Sequence, residues 1–348
     1  MILETENLSS ADVAGFSEAI ASLLQQDIAV SSATEFIVID TGELSNTLKQ
    51  QLQKQYPWMS FLKAPMSLGY YEVKQLGAES ASGEVVVYCD ADCTYEADWL
   101  KSLLVPFEDP AVEIIAGETT IPVTGGYSMA MALNYMLHRQ EPKPNLIPTG
   151  FYYINNVAFR RHVIIENPLP TDLKLYRGTC SVHSRILKKN GHQIWKQFAA
   201  EAQHAPPNGV RHYLWRFLVM GHDHYWLDRY FAELKHSSDR QFKKAKSQEL
   251  SVMPQDSPKK ERVPFSKKSL PTRATQKVQY ILRQTRIYLQ AEPELGQFLP
   301  LALPIILFSQ GLIFIGRTIT SRYPHALLRA YLKRFEPAYG DKVFSEQP

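Results

Sequence analysis

The chain has 348 residues, of which 45% are hydrophobic and 21% charged, with a formal net charge of +3. This is the composition of a folded protein with room for one large or two ordinary domains, and so mild a charge gives no reason to expect a nucleic-acid partner. Three cysteines (Cys89, Cys93 and Cys180) cannot build a disulfide framework and lack the paired spacing of a zinc site, so a reducing compartment is expected.

The N-terminus has no basic patch followed by a long apolar run, so no signal peptide is expected. Ile2-Leu3 reads as a short strand. Between Ala11 and Gln25, the residues Val13, Phe16, Ile20, Leu23 and Leu24 recur at helical spacing. Phe36 to Ile39 is an apolar run of buried-strand type. Leu44 to Tyr56 reads as a helix stopped by Pro57, Ser60 to Lys63 as a strand, and Tyr70 to Ser82 as a helix with Gly83 as its left-handed cap. Val85 to Tyr88 is β-branched and strand-like, and Trp99 to Pro106 starts another helix. Further on, Glu113 to Ile121 suits a strand, Met129 to Leu137 a helix, Asn155 to Arg161 a strand end, and Ser181 to Asn190 a helix stopped at Gly191. Trp195 to Ala202 leads to His204 and the Pro206-Pro207 pair.

Val210 to Leu227 reads as a helix rich in aromatic and basic residues. Lys235 to Arg273 is polar and lysine-rich, the composition of a flexible linker. Val278 to Leu289 and Leu327 to Phe335 carry apolar stripes, and Phe298 to Gly316 carries no charge. The expected division is a globular domain over 1–232, a basic linker over 233–273 and C-terminal helices over 274–348.

Short buried strands alternating with helices predict an α/β fold with a mainly parallel sheet covered on both faces. Ligands collect at the carboxyl ends of such strands. Glu4 to Asn7, Asp40 to Gly42 and Asp90 to Asp92 each follow a strand, so three polar clusters converge on one crevice. Asp90 and Asp92, two residues apart past a buried strand, can share a hard divalent cation, Mg2+ or Mn2+, which prefers carboxylate and phosphate oxygens. The plain alternative is an acidic turn that caps the next helix.

The ordered set of Phe36-Ile-Val-Ile-Asp40-Thr-Gly42, Gly69 to Gly77, Gly83-Glu84 and Val85 to Asp92, followed by Asp98-Trp99-Leu100, resembles the family 2 glycosyltransferases of the GT-A fold over roughly residues 1 to 205. The resemblance implies a Rossmann-like nucleotide-sugar domain and transfer with inversion. It implies that Thr5, Asn7, Asp40, Lys74 and Asp90 bind the donor, with Lys74 in place of the usual arginine. It further implies that Asp90, Asp92 and His204 serve the metal, and that Asn155, Asn156 and Arg160 floor the acceptor or sugar pocket. Lys74 as a solvated helix residue and His204 as a brace for the Pro206-Pro207 turn are the ordinary alternatives.

Inverting transfer needs a base for the acceptor hydroxyl. The family's aspartate position falls on Thr179, which has no carboxylate. His183, one helical turn on, is the preferred substitute, a neutral-pH base if not a packing residue; Asp172 is the nearest upstream carboxylate. Glu4 and Glu6 stand where the family has proline and tyrosine, which puts acid near a diphosphate.

The stretch over 298–316 is of about the minimum length to cross a bilayer, and Arg317, Arg322, Arg329, Lys333 and Arg334 follow it. Basic residues stay cytoplasmic, as do nucleotide sugars. A hairpin or interfacial helices on the cytoplasmic face of a membrane reconcile the two. The expected activity is metal-dependent transfer from a UDP-sugar or similar donor to a membrane-proximal glycan or lipid. A nucleotide-sugar-binding protein without turnover is the alternative that Thr179 favours. A nucleotidyltransferase is disfavoured by the lack of a glycine-rich phosphate loop after the first strand.

Overall fold

The computed structural model describes the backbone of residues 1–5, 13–135, 137, 139–250 and 273–345, and the side chains of 1–5, 16–135, 137, 139–234 and 275–345. Among these, nine strands form one sheet: β1 (Ile2–Glu4), β2 (Phe36–Asp40), β3 (Met59–Lys63), β4 (Val85–Asp90), β5 (Cys93–Tyr95), β6 (Ile114–Thr120), β7 (Ile147–Thr149), β8 (Asn156–Arg160) and β9 (Ile194–His204). The order is β3-β2-β1-β4-β8-β6-β9-β5, with β7 paired to β9. The first four strands in that order run parallel, as the alternation of strand and helix predicts. Beyond them β8 inserts antiparallel between β4 and β6, and β5 lies antiparallel to the end of β9.

Side chains of a strand alternate between faces, and the sheet has a core on each side. Leu3, Val38, Val87 and Cys89 pack toward α1 (Val13–Leu24) and α4 (Trp99–Leu104), around the buried Phe16 and Trp99. Ile2, Ile39, Val86 and Tyr88 pack toward α3 (Tyr70–Ser80). A Cβ on Gly77 would lie 2.6 Å from Ile39 and 2.7 Å from Ile2, so glycine lets α3 sit close on the sheet. The helix ends at Ser80, before Gly83, whose backbone is not left-handed. Ser45 caps α2 (Asn46–Gln55) by accepting from the Leu48 amide. The domain is completed by α5 (Gly126–Asn134), α6 (Arg161–Glu166) and α7 (Thr179–Lys189), and Gly191, the expected helix stop, has a left-handed backbone.

The long helix α8 (Val210–Leu250) follows β9 directly. It continues through the first part of the expected linker, because a lysine-rich polar face is as compatible with a solvated helix as with a loop; residues 251–272 lie outside the described ones. Then come α9 (Arg273–Ala291), a 3-10 segment, α10 (Leu299–Arg322), α11 (Ala326–Phe335) and α12 (Pro337–Ser345). Helices α8 and α10 cross on facing glycines. A Cβ on Gly316 would fall 2.0 Å from the Leu218 carbonyl oxygen, and one on Gly221 2.2 Å from that of Ile313. Helix α12 returns to the sheet domain, where Lys342 pairs with Glu72 at 2.6 Å.

Candidate active site

A cleft of about 1430 Å³ opens between the carboxyl edge of the sheet and α8–α10. Asp90 and Asp92 line it from the tip of β4, as do Tyr70, Asn155, Arg177 and His204. Register brings the last pair together. Cys93 of β5 lies opposite His204 of β9, which sets His204 beside Asp92.

The His204 ring reads its own tautomer. Its Nδ1 lies 2.6 Å from the Ala205 carbonyl oxygen, which can only accept, so Nδ1 carries the proton. The Nε2 then turns a lone pair toward Asp92 Oδ2 at 3.4 Å. Two acceptors facing each other require a cation or a proton between them, and a backbone-fixed imidazole next to a carboxylate is a common metal-site pattern. Asp92, Cys93 and His204 bring their ligand atoms within 4.8 Å of one another. Burial holds the Cys93 thiol well above its usual range, so it remains a protonated donor, 3.8 Å from Asp92 Oδ1. Burial also pushes the Asp92 carboxyl up, opposed by His204 and reinforced by Asp90.

Asp90 is gripped from behind. Tyr70 donates to Oδ2 at 2.6 Å and Lys74 to Oδ1 at 2.5 Å, and Lys74 donates also to the Cys89 carbonyl at 2.6 Å. Asp90 therefore faces the cleft with both oxygens already engaged. Lys74 is buried and off the cleft wall, which corrects its expected role at the base or diphosphate. Burial would lower its ammonium pKa, but Asp90 and Glu4 hold it above the ordinary value. Burial lifts the Glu4 carboxyl to about 8, against Lys74 and with Asp90 and Asp92.

Several expected site residues hold the fold instead. Thr5 ties β1 to β2 by donating to the Ile39 carbonyl at 3.1 Å. The Asp40 carboxylate accepts from the Gly42 amide at 3.0 Å and from Lys49 at 2.7 Å, folding its own turn rather than lining the cleft. Asn156 accepts from Trp99 at 2.8 Å and donates to the Glu118 and Ala200 carbonyls at 2.9 Å, locking β8 to its neighbours. Arg160 spends its guanidinium on Glu84 and on the Val112, Phe107 and Asp109 carbonyls. Of the expected floor, Asn155 alone lines the cleft. Asn7 lies outside the described residues.

Neither expected base reaches the cleft. His183 is fully buried between the Tyr152 hydroxyl at 2.5 Å and the Asn167 carbonyl at 2.8 Å, and burial pushes it down to about 4. Asp172 is exposed and off the cleft wall. Of the cleft-lining acids on α8, Asp223 is the buried one. It accepts from the amides of Tyr176 at 2.8 Å and Arg177 at 3.1 Å, just before α7. Burial lifts it to about 6, opposed by Arg216 and the two amides. It clips the loop that presents Arg177, whose guanidinium lies 4.4 Å from the Tyr70 ring centroid and 4.1 Å from that of Tyr176. Gly178 turns that loop into α7 with φ +103°. One sequence signal could have found Asp223: it is the single acid in the aromatic and basic run over 210–227.

The sheet order and the strand-end site define a GT-A fold. Residues 15–167 match the model of glycosyl transferase family 2. Glycosyltransferase AglE of Haloferax volcanii is 22% identical over 145 residues, 41% of this chain and 47% of AglE. Polypeptide N-acetylgalactosaminyltransferase 11 of Xenopus tropicalis is 25% identical over 160 residues, 39% of this chain and 26% of the relative. The match thus spans less than half the length of either curated relative. The mannosyltransferase PcManGT of Pyrobaculum calidifontis, solved with GDP-Man and Mn2+, superposes with a TM-score of 0.48 at 14% identity, covering 99% of this chain and 87% of its own.

Proposed function

We propose that the chain transfers a sugar from a nucleotide-sugar donor, a UDP-sugar or similar, to a membrane-proximal glycan or lipid acceptor, with inversion. The observation that carries this reading is the pair of facing acceptors, Asp92 Oδ2 and His204 Nε2, 3.4 Å apart at the sheet's carboxyl edge. A divalent cation held by Asp92 and His204, Mn2+ or Mg2+, supplies charge neutralisation for a departing diphosphate. Arg177, fixed by the Asp223 clip, adds a positive charge on the same side. Asp90, held by Tyr70 and Lys74, accepts hydrogen bonds from hydroxyls of the donor.

In the transfer, the acceptor oxygen forms a bond to the anomeric carbon as the bond to the diphosphate breaks, and the diphosphate leaves with the electron pair. The acceptor's proton passes to Asp223, a cleft carboxylate whose amide partners Tyr176 and Arg177 lie just before Thr179. The sheet domain over 1–232 carries this chemistry. The helices over 274–348 hold it at the cytoplasmic face of a membrane: Pro293–Arg322 is long and apolar enough to cross one, and about a fifth of its apolar window (22%) is buried. A donor-binding protein without turnover remains the second reading, favoured by the absence of a carboxylate at Thr179.

The test incubates the full chain with Mn2+ and a panel of nucleotide sugars, reading nucleoside diphosphate release and protection against thermal unfolding. Release that is lost in Asp92→Ala supports the transferase. Protection without release supports the binding protein. Pyrophosphate release from a nucleoside triphosphate, or no response to any donor, overturns the reading.

A further inference from the structure

Helix α12 turns back from α11 and rests on the first turn of α3. Gly340 makes the close return possible, since a Cβ there would lie 2.9 Å from the Cβ of Leu332 in α11. Two contacts tie α12 to the α3 turn. Lys342 meets Glu72 Oε1 at 2.6 Å, and Glu72 Oε2 accepts from the Gly69 amide at 2.9 Å. The Tyr339 ring fills the space that a Cβ on Gly69 would need, with three of its carbons 2.4, 2.6 and 2.9 Å from that point. Gly69 is the N-cap of α3, where serine, threonine, aspartate or asparagine usually bonds the open amides of a helix. Its φ of −81° suits any residue, so the contact with Tyr339 is what calls for glycine. The acid of the first turn is Glu72, a charge suited to the positive end of a helix, and Lys342 holds it in place. Both partners of this ion pair are shielded, with the Lys342 side chain 29% and the Glu72 side chain 21% exposed. The residue after Gly69 is Tyr70, whose hydroxyl fixes Asp90 Oδ2 at 2.6 Å. Neither Lys342 nor Tyr339 lines the cleft. One helical turn therefore meets α12 through Gly69 and Glu72 and the acidic strand tip through Tyr70. Rigid elements of this kind carry a displacement from one contact to the next.

We propose that Lys342 and Tyr339 are positioning residues for the donor: α12 clamps the first turn of α3 and so holds Tyr70 where it fixes Asp90. This rests on the transferase reading, in which Asp90 meets hydroxyls of the donor, and it makes donor binding depend on residues 337–345. Lys342 acts through Glu72, which anchors the Gly69 amide, and Tyr339 acts by its seat on Gly69 itself. Loosening either contact frees the turn that carries Tyr70, and Asp90 loses its fixed orientation toward the cleft.

The test measures Mn2+-dependent binding of UDP and GDP to the full chain by calorimetry, at a temperature where circular dichroism shows every variant folded. For the diphosphate that wild type binds, Lys342→Met and Tyr339→Ala should each lose affinity on the order of threefold, the scale of one partly exposed contact. Lys342→Arg keeps the ion pair and should restore wild-type affinity. Tyr70→Phe removes the hydroxyl that passes the constraint to Asp90. Adding Lys342→Met to Tyr70→Phe should therefore cost nothing beyond Tyr70→Phe alone, whereas a contribution to overall stability only would let the two losses multiply. Unchanged affinity in Lys342→Met and Tyr339→Ala, a loss that Lys342→Arg shares, or multiplied losses in the double variant overturns the proposal. If wild type binds a diphosphate and one of these results follows, the positioning role alone falls. If wild type binds neither diphosphate, the transferase reading falls and the positioning role with it.

Discussion

Replacing Lys74 with methionine tests how the acidic strand tip is held. Lys74 is fully buried, and its ammonium meets Asp90 at 2.5 Å and the Cys89 carbonyl at 2.6 Å. Methionine fills similar space but leaves a buried carboxylate short of its cation. Removing one partner of a buried pair costs about 3–5 kcal/mol, which at the small end of the size scaling is on the order of 5–10 °C in melting temperature. The folded-state pKa of Lys74 lies above its unfolded value, so its contribution is fully present below the ordinary lysine pKa and is lost only as pH rises past it. The deficit of Lys74→Met should therefore not shrink between pH 6 and 8. Adding Asp90→Asn should return at least half of the loss, because no unpaired charge remains. The assay is thermal unfolding of wild type, both single variants and the double variant. A shift below one degree for Lys74→Met, or strictly additive effects, would refute the reasoning.

Asp223→Asn should lower kcat by about 100-fold or more, as loss of a general base does. With Asp223 lifted to about 6, wild-type kcat should fall as pH drops below that value and the base takes up its proton; retention of more than half of kcat would leave Asp223 as a loop clip only. Gly316→Ala should destabilise the chain, since its Cβ would lie 2.0 Å from the Leu218 carbonyl oxygen. Overpacking of about 1–3 kcal/mol outweighs the roughly 1 kcal/mol that alanine gains over glycine in a helix, and a melting temperature at or above wild type would contradict the close crossing of α8 and α10. The paired change Leu307→Glu and Phe314→Glu should cut sedimentation with anionic vesicles at least fivefold while the melting temperature holds; undiminished sedimentation would move the membrane contact elsewhere.

The parallel half of the sheet was legible because short apolar runs such as Phe36 to Ile39 and Val85 to Tyr88 can only be buried strands between helices of clear periodicity. The acidic tip was legible for the same reason, since a strand end fixes where Asp90 and Asp92 must emerge. What sequence could not separate is a polar residue that lines a cleft from one that braces it. Asn155 and Asn156 are neighbours, yet β-strand alternation sends one side chain to the cleft and the other into a lattice of Trp99, Glu118 and Ala200. Arg160 and Lys74 were misread in the same way, as both saturate buried acceptors. His183 lies one turn beyond Thr179, but that helix face meets Tyr152 and Phe159 in the core. Asp223 was hidden because its partners, the Tyr176 and Arg177 amides, lie 47 and 46 residues away in sequence.

The proposed cation site rests on one imidazole nitrogen and one carboxylate, so pulsed electron paramagnetic resonance of Mn2+ bound to the full chain with a nucleoside diphosphate tests it most directly. With histidine labelled by 15N, the spectrum should carry coupling to a single imidazole nitrogen. That coupling should vanish in His204→Gln, and Asp92→Asn should weaken Mn2+ binding at least tenfold. A spectrum without histidine coupling, together with unchanged affinity in Asp92→Asn, would contradict the account.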